Sequence, residues 1–451
     1  MCWSGSLGSR ERGCPDLRRE LRIFAIIAGV FLFALLVPLS SPTVRSAIME
    51  AFFMLQEYAR EHVLLCLVPA FFIAGAIAVF ISQAGVIKYL GGKARKVVAY
   101  GVGSISGAIL AVCSCTVLPL FAGIYKRGAG LGPAIAFLYS GPAINILAII
   151  LTGRILGVRF GLARAVGAVV FAVVIGVTMQ FLFRKEEAEK QEAAMAAPLP
   201  EDSRPIWKTA IPVVLMILIL VFANWGKPGN VFLETTAGET LVGTRVGETE
   251  DEVLVKLQGS AELTGVVKSE IDSLRYAPSL YTSIHSARFY VAGTLLVLLI
   301  VLMSLWYKRD EAKAWGSSTW SYAKMILPYL FGGVLIAGFL LGRPGHTALI
   351  PPEWIAQAVG GNSWLSNLAA SVAGAFMYFA TLTELPILQG LMGSGMGDGP
   401  ALALLLAGPA LSLPNMLVIR RILGTKKTLA YVALVVIAAT LTGKLFGRIV
   451  G

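Results

Sequence analysis

Apolar segments recur along almost the whole chain, near 22–39, 63–82, 97–125, 133–152, 160–183, 206–224, 288–307, 322–341, 366–392, 400–419 and 428–448. Runs of about 18 or more apolar residues are long enough to cross a bilayer as helices. The pattern predicts an all-α polytopic membrane protein. Two connections differ from the rest. Residues 184–205 begin polar (Arg184, Lys185, Glu186, Glu187, Glu189, Lys190) and continue rich in Ala and Pro, as a linker between two halves would. Residues 226–284 alternate polar and aliphatic or β-branched positions, as in Val253-Leu254-Val255-Lys256-Leu257. That period of two predicts a small β-rich insert outside the bilayer. The expected organisation is an N-terminal tail (1–21), a first transmembrane repeat (22–183), a linker (184–205), a linking transmembrane helix (206–225), the insert (226–284) and a second transmembrane repeat (285–451).

The word repeat rests on identity between two stretches. Thr116-Val117-Leu118-Pro119 is followed by Gly132-Pro133, Gly141-Pro142-Ala143 and Arg154-Ile155-Leu156-Gly157. At a constant offset of 267 residues stand Thr383-Glu384-Leu385-Pro386, Gly399-Pro400, Gly408-Pro409-Ala410 and Arg421-Ile422-Leu423-Gly424. Duplicated halves of membrane transporters meet at a binding site near the bilayer midplane, built by discontinuous helices.

Charge adds orientation. The net charge is +12 and the mean hydropathy +0.75. In such a chain the excess of bases fits cytoplasmic loops beside anionic lipid rather than nucleic acid. The basic stretches are the N-terminal tail (Arg10, Arg12, Arg18, Arg19, Arg22), Lys88 to Lys96, Arg184 to Lys190, Lys308 to Lys324 and Arg420 to Lys427. The basic tail precedes an apolar segment with no small-residue cleavage site, so 22–39 is expected to stay as a first helix. The insert carries nine acids against five bases and is expected to be extracytoplasmic. With all five basic stretches inside, segment 97–125 starts inside and its counterpart 366–392 starts outside. The repeats then run in opposite directions, provided that both segments enter and return on one side as re-entrant hairpins. The alternative is one long broken helix crossing once. In the hairpin arrangement Arg154, Arg159 and Arg164 fall outside, against the rule.

The candidate chemistry gathers at the repeat. Pro119 cannot donate to the carbonyl of Cys115, nor Pro386 to that of Leu382, so both are expected helix breaks, with Pro142 and Pro409 beside them. Unpaired backbone at membrane depth is tolerated only where protein or water satisfies it. Gly103, Gly107 and Gly374 are expected to allow close helix approach. Cys113 and Cys115 point about 200° apart on an intact helix. On extended backbone they share a face. Paired thiolates suit soft centres such as Cu(I), Zn(II) or trivalent arsenic and antimony; the other reading is two small buried cysteines that merely pack. Five cysteines in all do not make a disulfide scaffold. Glu384 stands where the first repeat has Val117. A charge at membrane depth costs about 2.5–3.5 kcal/mol on insertion scales, which makes Glu384 a candidate for carrying a coupling proton or binding a cation. The structural alternative is a neutral acid bonded to freed backbone or to Thr381 and Thr383. Asn145 and Asn415 follow the two Gly-Pro-Ala breaks and either line a polar path or cap backbone. Arg154 and Arg421 end helices and suit their dipoles. No Walker sequence, GxSxG or HExxH is present, so no enzyme and no bound cofactor is expected.

The stretch Cys113-Ser114-Cys115-Thr116-Val117-Leu118-Pro119-Leu120-Phe121-Ala122-Gly123-Ile124, with Gly128, Ala136-Phe137-Leu138 and Pro142-Ala143-Ile144-Asn145, resembles the predicted permease family of ArsP and YraQ type. The resemblance covers roughly 60–183 and 320–448, leaving the insert and the first 20 residues outside. It implies a membrane permease. Some members export trivalent organoarsenicals or related thiophilic metalloids without ATP hydrolysis, and many have no known substrate. Cys113 and Cys115 become candidate thiol ligands for such a metalloid, and 381–386 resembles the second half's motif. The expected protein is a proton-coupled secondary permease of the inner (plasma) membrane. Cys113, Ser114, Cys115, Thr116, Asn145, Thr381, Thr383 and Asn415 would line the substrate path, and Glu384 would carry the proton. Its expected partners are the lipid bilayer and a small thiophilic substrate; a homodimer is compatible with the sequence. An intramembrane thiol redox protein using Cys113 and Cys115, and a small-anion or thiol-compound permease, are the other two readings.

Overall fold

The computed structural model describes residues 38–80, 86, 90–91, 94–109, 114–144, 148–149, 152–153, 156–189, 206–225, 230–236, 238–248, 252–257, 263–343, 346, 348–377, 384–393 and 395–450, with isolated positions between 21 and 35. The N-terminal tail and most of the expected helix 22–39 lie outside them. Helices dominate: α1 (Pro42–Tyr58), a π-helical stretch (Ala59–Leu67), α2 (Val68–Phe80), α3 (Lys96–Ile109), α4 (Ser114–Lys126), α5 (Leu131–Ala143), α6 (Val158–Leu182) and α7 (Ile206–Ala223) precede the insert. After it come α8 (Leu280–Trp306), α9 (Arg309–Leu341), α10 (Pro352–Ala358), α11 (Trp364–Phe376), α12 (Glu384–Gly393), α13 (Asp398–Ala407), α14 (Leu413–Leu423) and α15 (Thr425–Ile449). Among the described residues, five helical stretches are long and apolar enough to cross a membrane: Val63–Phe80, Val158–Leu182, Leu280–Trp306, Arg309–Leu341 and Thr425–Ile449.

The sequence repeat is a structural repeat. At the 267-residue offset α6 and α15 begin and end together, α5 and α13 begin together, and α1 and α9 begin together. Each of α6 and α15 follows a glycine of positive φ, Gly157 (103°) and Gly424 (85°), where only glycine turns the chain without strain.

The two repeats are inverted. Phe160, at the start of α6, packs edge-on against Phe446, near the end of α15, with ring centroids 4.9 Å apart. At the other end Lys427, starting α15, reaches Glu187, just past α6, at 2.6 Å. Equivalent helices that lie antiparallel are related by a two-fold axis in the membrane plane. Tyr139 and Leu406 are equivalent positions, and the Tyr139 hydroxyl donates to the Leu406 carbonyl at 2.9 Å. That contact sits on the axis.

Segments 97–125 and 366–392 are re-entrant hairpins. Tyr100, in the first turn of α3, donates to Gln180 near the end of α6 at 2.6 Å. Tyr125, in the last turn of α4, donates to Glu187 at 2.8 Å. Both ends of the α3–α4 pair therefore lie at one end of α6. A helix of about 14 residues rises about 21 Å, short of the roughly 30 Å hydrocarbon core. The second hairpin repeats this: Gly361 before α11 donates to Gly395 after α12 at 3.2 Å, and Lys444 near the end of α15 reaches the Asn362 carbonyl at 2.5 Å. The two hairpins thus open at opposite ends. Close approach makes this possible: a Cβ on Gly103 would lie 2.7 Å from the Pro133 carbonyl oxygen, and one on Gly374 would lie 3.2 Å from the Gly408 nitrogen.

The prolines behave differently from expectation. α4 runs through Pro119 without a break, and Pro386 lies in the first turn of α12. Pro386 falls where a helix has no bond to lose, whereas Pro119, the sixth residue of α4, removes the bond to Cys115 without ending the helix. Pro142 is the second-last residue of α5, so there the helix ends beside it. Pro409 alone sits in an unwound joint, between α13 and α14.

The insert is a five-stranded antiparallel sheet of β1 (Asn230–Thr235), β2 (Thr240–Glu248), β3 (Glu252–Leu257), β4 (Leu263–Val267) and β5 (Ile271–Tyr276), in the order β4-β3-β2-β1-β5. Alternate residues Val231, Leu233, Val253 and Val255 form a core of their own, apart from the helical core. The sheet leaves from α7 and returns to α8 at the end opposite Tyr307, whose hydroxyl donates to the Lys208 carbonyl at 2.9 Å. Trp225 and Tyr281 bring the two exits together, ring centroids 5.4 Å apart.

Candidate functional site

The start of α12 is where the second hairpin meets the first repeat. Glu384, 2% exposed, is the first residue of α12, and its carboxylate accepts from Arg164 of α6 at 2.5 Å. Arg164 is 1% exposed, the largest fully buried side chain described. It also donates to the Thr152 hydroxyl at 3.0 Å, which in turn donates to the Ala148 carbonyl at 2.7 Å. Among the described residues the buried Arg164 Nε has no partner. A buried guanidinium needs a carboxylate, because leaving either charge alone in a low-dielectric interior is costly.

Arg164 is therefore not an exposed base on the outer side, where the hairpin arrangement put it against the charge rule. It lies about two turns into α6 and faces the interior. Counting bases near helix ends cannot distinguish an exposed cation from one paired across the protein. The usable signal was complementarity: Arg164 is the only charge in segment 160–183, and Glu384 the only one in 366–392. The expected hydroxyl partners of Glu384, Thr381 and Thr383, lie outside the described residues, as do Cys113 and Asn145.

Around this pair the polar residues thin out on one side of the axis. The equivalents of Arg164, Glu384 and Thr152 are Tyr431, Val117 and Ile419, all buried. Tyr431 turns its hydroxyl to the Ala410 carbonyl at 3.5 Å. Sequence reasoning did not single out Tyr139, Tyr431 or Thr152; none carries a charge and none falls in a motif.

The remaining expected residues flank the same region. Ser114 opens α4, and Cys115 and Thr116 follow in its first turn, so the Cys115 end of the cysteine pair is helical rather than unwound. Thr116 is buried. Asn415 lies in the first turn of α14, with Ser412 as the preceding cap residue; both are 3% exposed, and among the described residues the Asn415 Oδ1 and Ser412 Oγ have no partner. The site thus centres on one buried ion pair between the two repeats, joining the start of α12 to α6.

The comparisons with known proteins agree with this architecture. A family model described as a predicted permease, of ArsP type, matches residues 48–448. The UPF0718 protein MJ0584 of Methanocaldococcus jannaschii is 40% identical over 393 residues, covering 87% of this chain and 94% of its own. The UPF0718 protein YraQ of Escherichia coli K12 is 31% identical over 173 residues, covering 34% of this chain and 48% of its own. No solved structure matches. Inverted repeats, paired re-entrant hairpins and a family match across nearly the whole helical core lead to one conclusion: the chain belongs to the ArsP-type predicted permease family and is a multi-pass membrane transporter.

Proposed function

We propose that this permease is a secondary-active exporter of a thiophilic substrate such as trivalent arsenic, antimony or an organoarsenical. It would work in the inner (plasma) membrane with its basic end in the cytoplasm and its sheet outside. The observation that carries the reading is the buried Arg164–Glu384 pair, which joins the start of α12 in the second repeat to α6 in the first. In the sequence Cys113 stands just before α4, which contains Cys115, and Thr381 and Thr383 stand just before α12, which Glu384 opens. A substrate held by the thiols would lie between the repeats, beside Thr116, Asn145 and Asn415. Thiols lose protons as they bind a soft centre, so proton movement is built into such a cycle. Glu384 would take up the coupling proton, giving up its bond to Arg164.

The test is metalloid accumulation in cells lacking other efflux systems. This protein should lower accumulation, and both the Cys113→Ser/Cys115→Ser double variant and Glu384→Gln should abolish the effect. If the double variant exports as well as the parent, the thiol site is wrong. One observation favours a second reading, a small-anion permease: among the described residues the buried Arg164 Nε has no partner. That reading predicts uptake or release of an anion that Arg164→Gln abolishes and Cys113→Ser/Cys115→Ser leaves intact.

A further inference from the structure

The Arg164–Glu384 pair joins two repeats, not two parts of one. Arg164 belongs to α6 of the first repeat and Glu384 to the hairpin of the second, 220 residues away. The equivalent positions, Tyr431 and Val117, carry no charge. The ion pair therefore has no counterpart across the two-fold axis.

In a transporter of inverted repeats, the two access states arise largely by rocking one repeat against the other around a fixed site. An interaction between repeats that is present on one side only makes those states unequal. It ties the start of α12 to α6, whereas the first hairpin is held at the far end of α4, where Tyr125 donates to Glu187, itself paired with Lys427. From this asymmetry we infer that Arg164 is the positioning residue of the transport cycle: it latches the α11–α12 hairpin to the first repeat, and proton uptake by Glu384 releases that hairpin. The second hairpin is thus the proton-controlled gate, and the first is not.

The chemistry balances simply. One proton moves to the Glu384 carboxylate, which becomes a neutral acid. The charge-assisted bond to Arg164 is lost, and the guanidinium keeps its bond to Thr152 and meets water admitted by the opening hairpin. Among the described residues, Thr152 is the other side chain hydrogen-bonded to the pair, and no second carboxylate pairs with Arg164 to take the proton instead. The inference rests on the permease reading for its meaning, but not on any particular cargo.

Hydrogen–deuterium exchange on the full-length protein in lipid nanodiscs tests it across a pH series. In the parent protein, exchange in 384–393 should rise several-fold as the pH falls, while 114–126 stays constant. Glu384→Gln and Arg164→Gln should each show the faster exchange at every pH, with no pH dependence. Because a single buried charge can impair folding, the neutral double variant Arg164→Met/Glu384→Leu serves as the second probe: it should fold, and its exchange should be independent of pH. The proposal is overturned if parent exchange in 384–393 ignores pH, if 114–126 responds equally, or if the double variant keeps the parent's pH response. A parent that shows the pH-gated hairpin yet moves no metalloid would overturn the cargo and leave the latch standing.

Discussion

At the scale of single residues, the buried ion pair makes the sharpest demand. Arg164→Ala or Glu384→Ala leaves one charge uncompensated in the interior, which costs about 3–5 kcal/mol. Replacing both with apolar side chains of similar size is often neutral or stabilising. Thermal unfolding in detergent should therefore show both single variants far below the parent, and Arg164→Met/Glu384→Leu close to it. Equal loss in all three would mean that the pair is needed for more than charge balance. A second contrast concerns glycines two positions apart in α3. A Cβ on Gly101 meets nothing within 4 Å, whereas one on Gly103 would crowd the Pro133 carbonyl oxygen at 2.7 Å. Gly101→Ala should be neutral or stabilise by about 0.5–1 kcal/mol through helix propensity. Gly103→Ala should cost about 1–3 kcal/mol by overpacking. The sequence showed Glu384 as unusual because a carboxylate there has no apolar explanation. It hid Arg164 because pairing across 220 residues leaves no local trace.

Among the elements, the hairpins were readable and their hinges were not. Two matching apolar segments at a 267-residue offset, one with basic flanks and the other with nearly uncharged flanks, have few other solutions. The prolines misled because their cost depends on place: Pro386 falls in the first turn of α12, where no bond is lost, and α4 continues through Pro119 despite the lost bond to Cys115. The π-helical stretch Ala59–Leu67 had no signal, since one extra residue in a turn leaves an apolar helix looking unchanged. Its neighbours reveal it. Asn224 donates to the Leu65 carbonyl at 2.8 Å and lies 2.6 Å from the Cys66 sulfur, binding the altered turn to the end of α7. The first hairpin is held at its open end by a different contact. Glu187, 4% exposed, accepts from Tyr125 of α4 and from Lys427 of α15. Tyr125→Phe removes one of these donors and should destabilise the α4 end by about 1–3 kcal/mol, since a buried acceptor loses its partner. Proteolysis at 127–130 would read this directly. Unchanged cleavage would show that Lys427 suffices.

For the whole molecule, the helical core and the sheet are separable bodies of packing. The sheet's buried residues Val231, Leu233, Val253 and Val255 form their own cluster, and its two connections leave the membrane side by side at Trp225 and Tyr281. Its contact with the core runs through the edge of α12, the outer arm of the second hairpin, where β2 touches it. Loop closure between neighbouring ends costs little entropy. A variant in which 228–278 are replaced by a short Gly/Ser linker should therefore insert, stay monodisperse and unfold at nearly the parent temperature. The same variant separates two roles for the sheet. If it is only an appended module, metalloid export and the pH response of exchange in 384–393 should both be unchanged. If its contact with α12 restrains the gate, the hairpin should exchange faster at neutral pH while the fold survives. A collapse of the helical core on removing the sheet would contradict the separation of the two cores, and with it the view that the repeats alone build the permease.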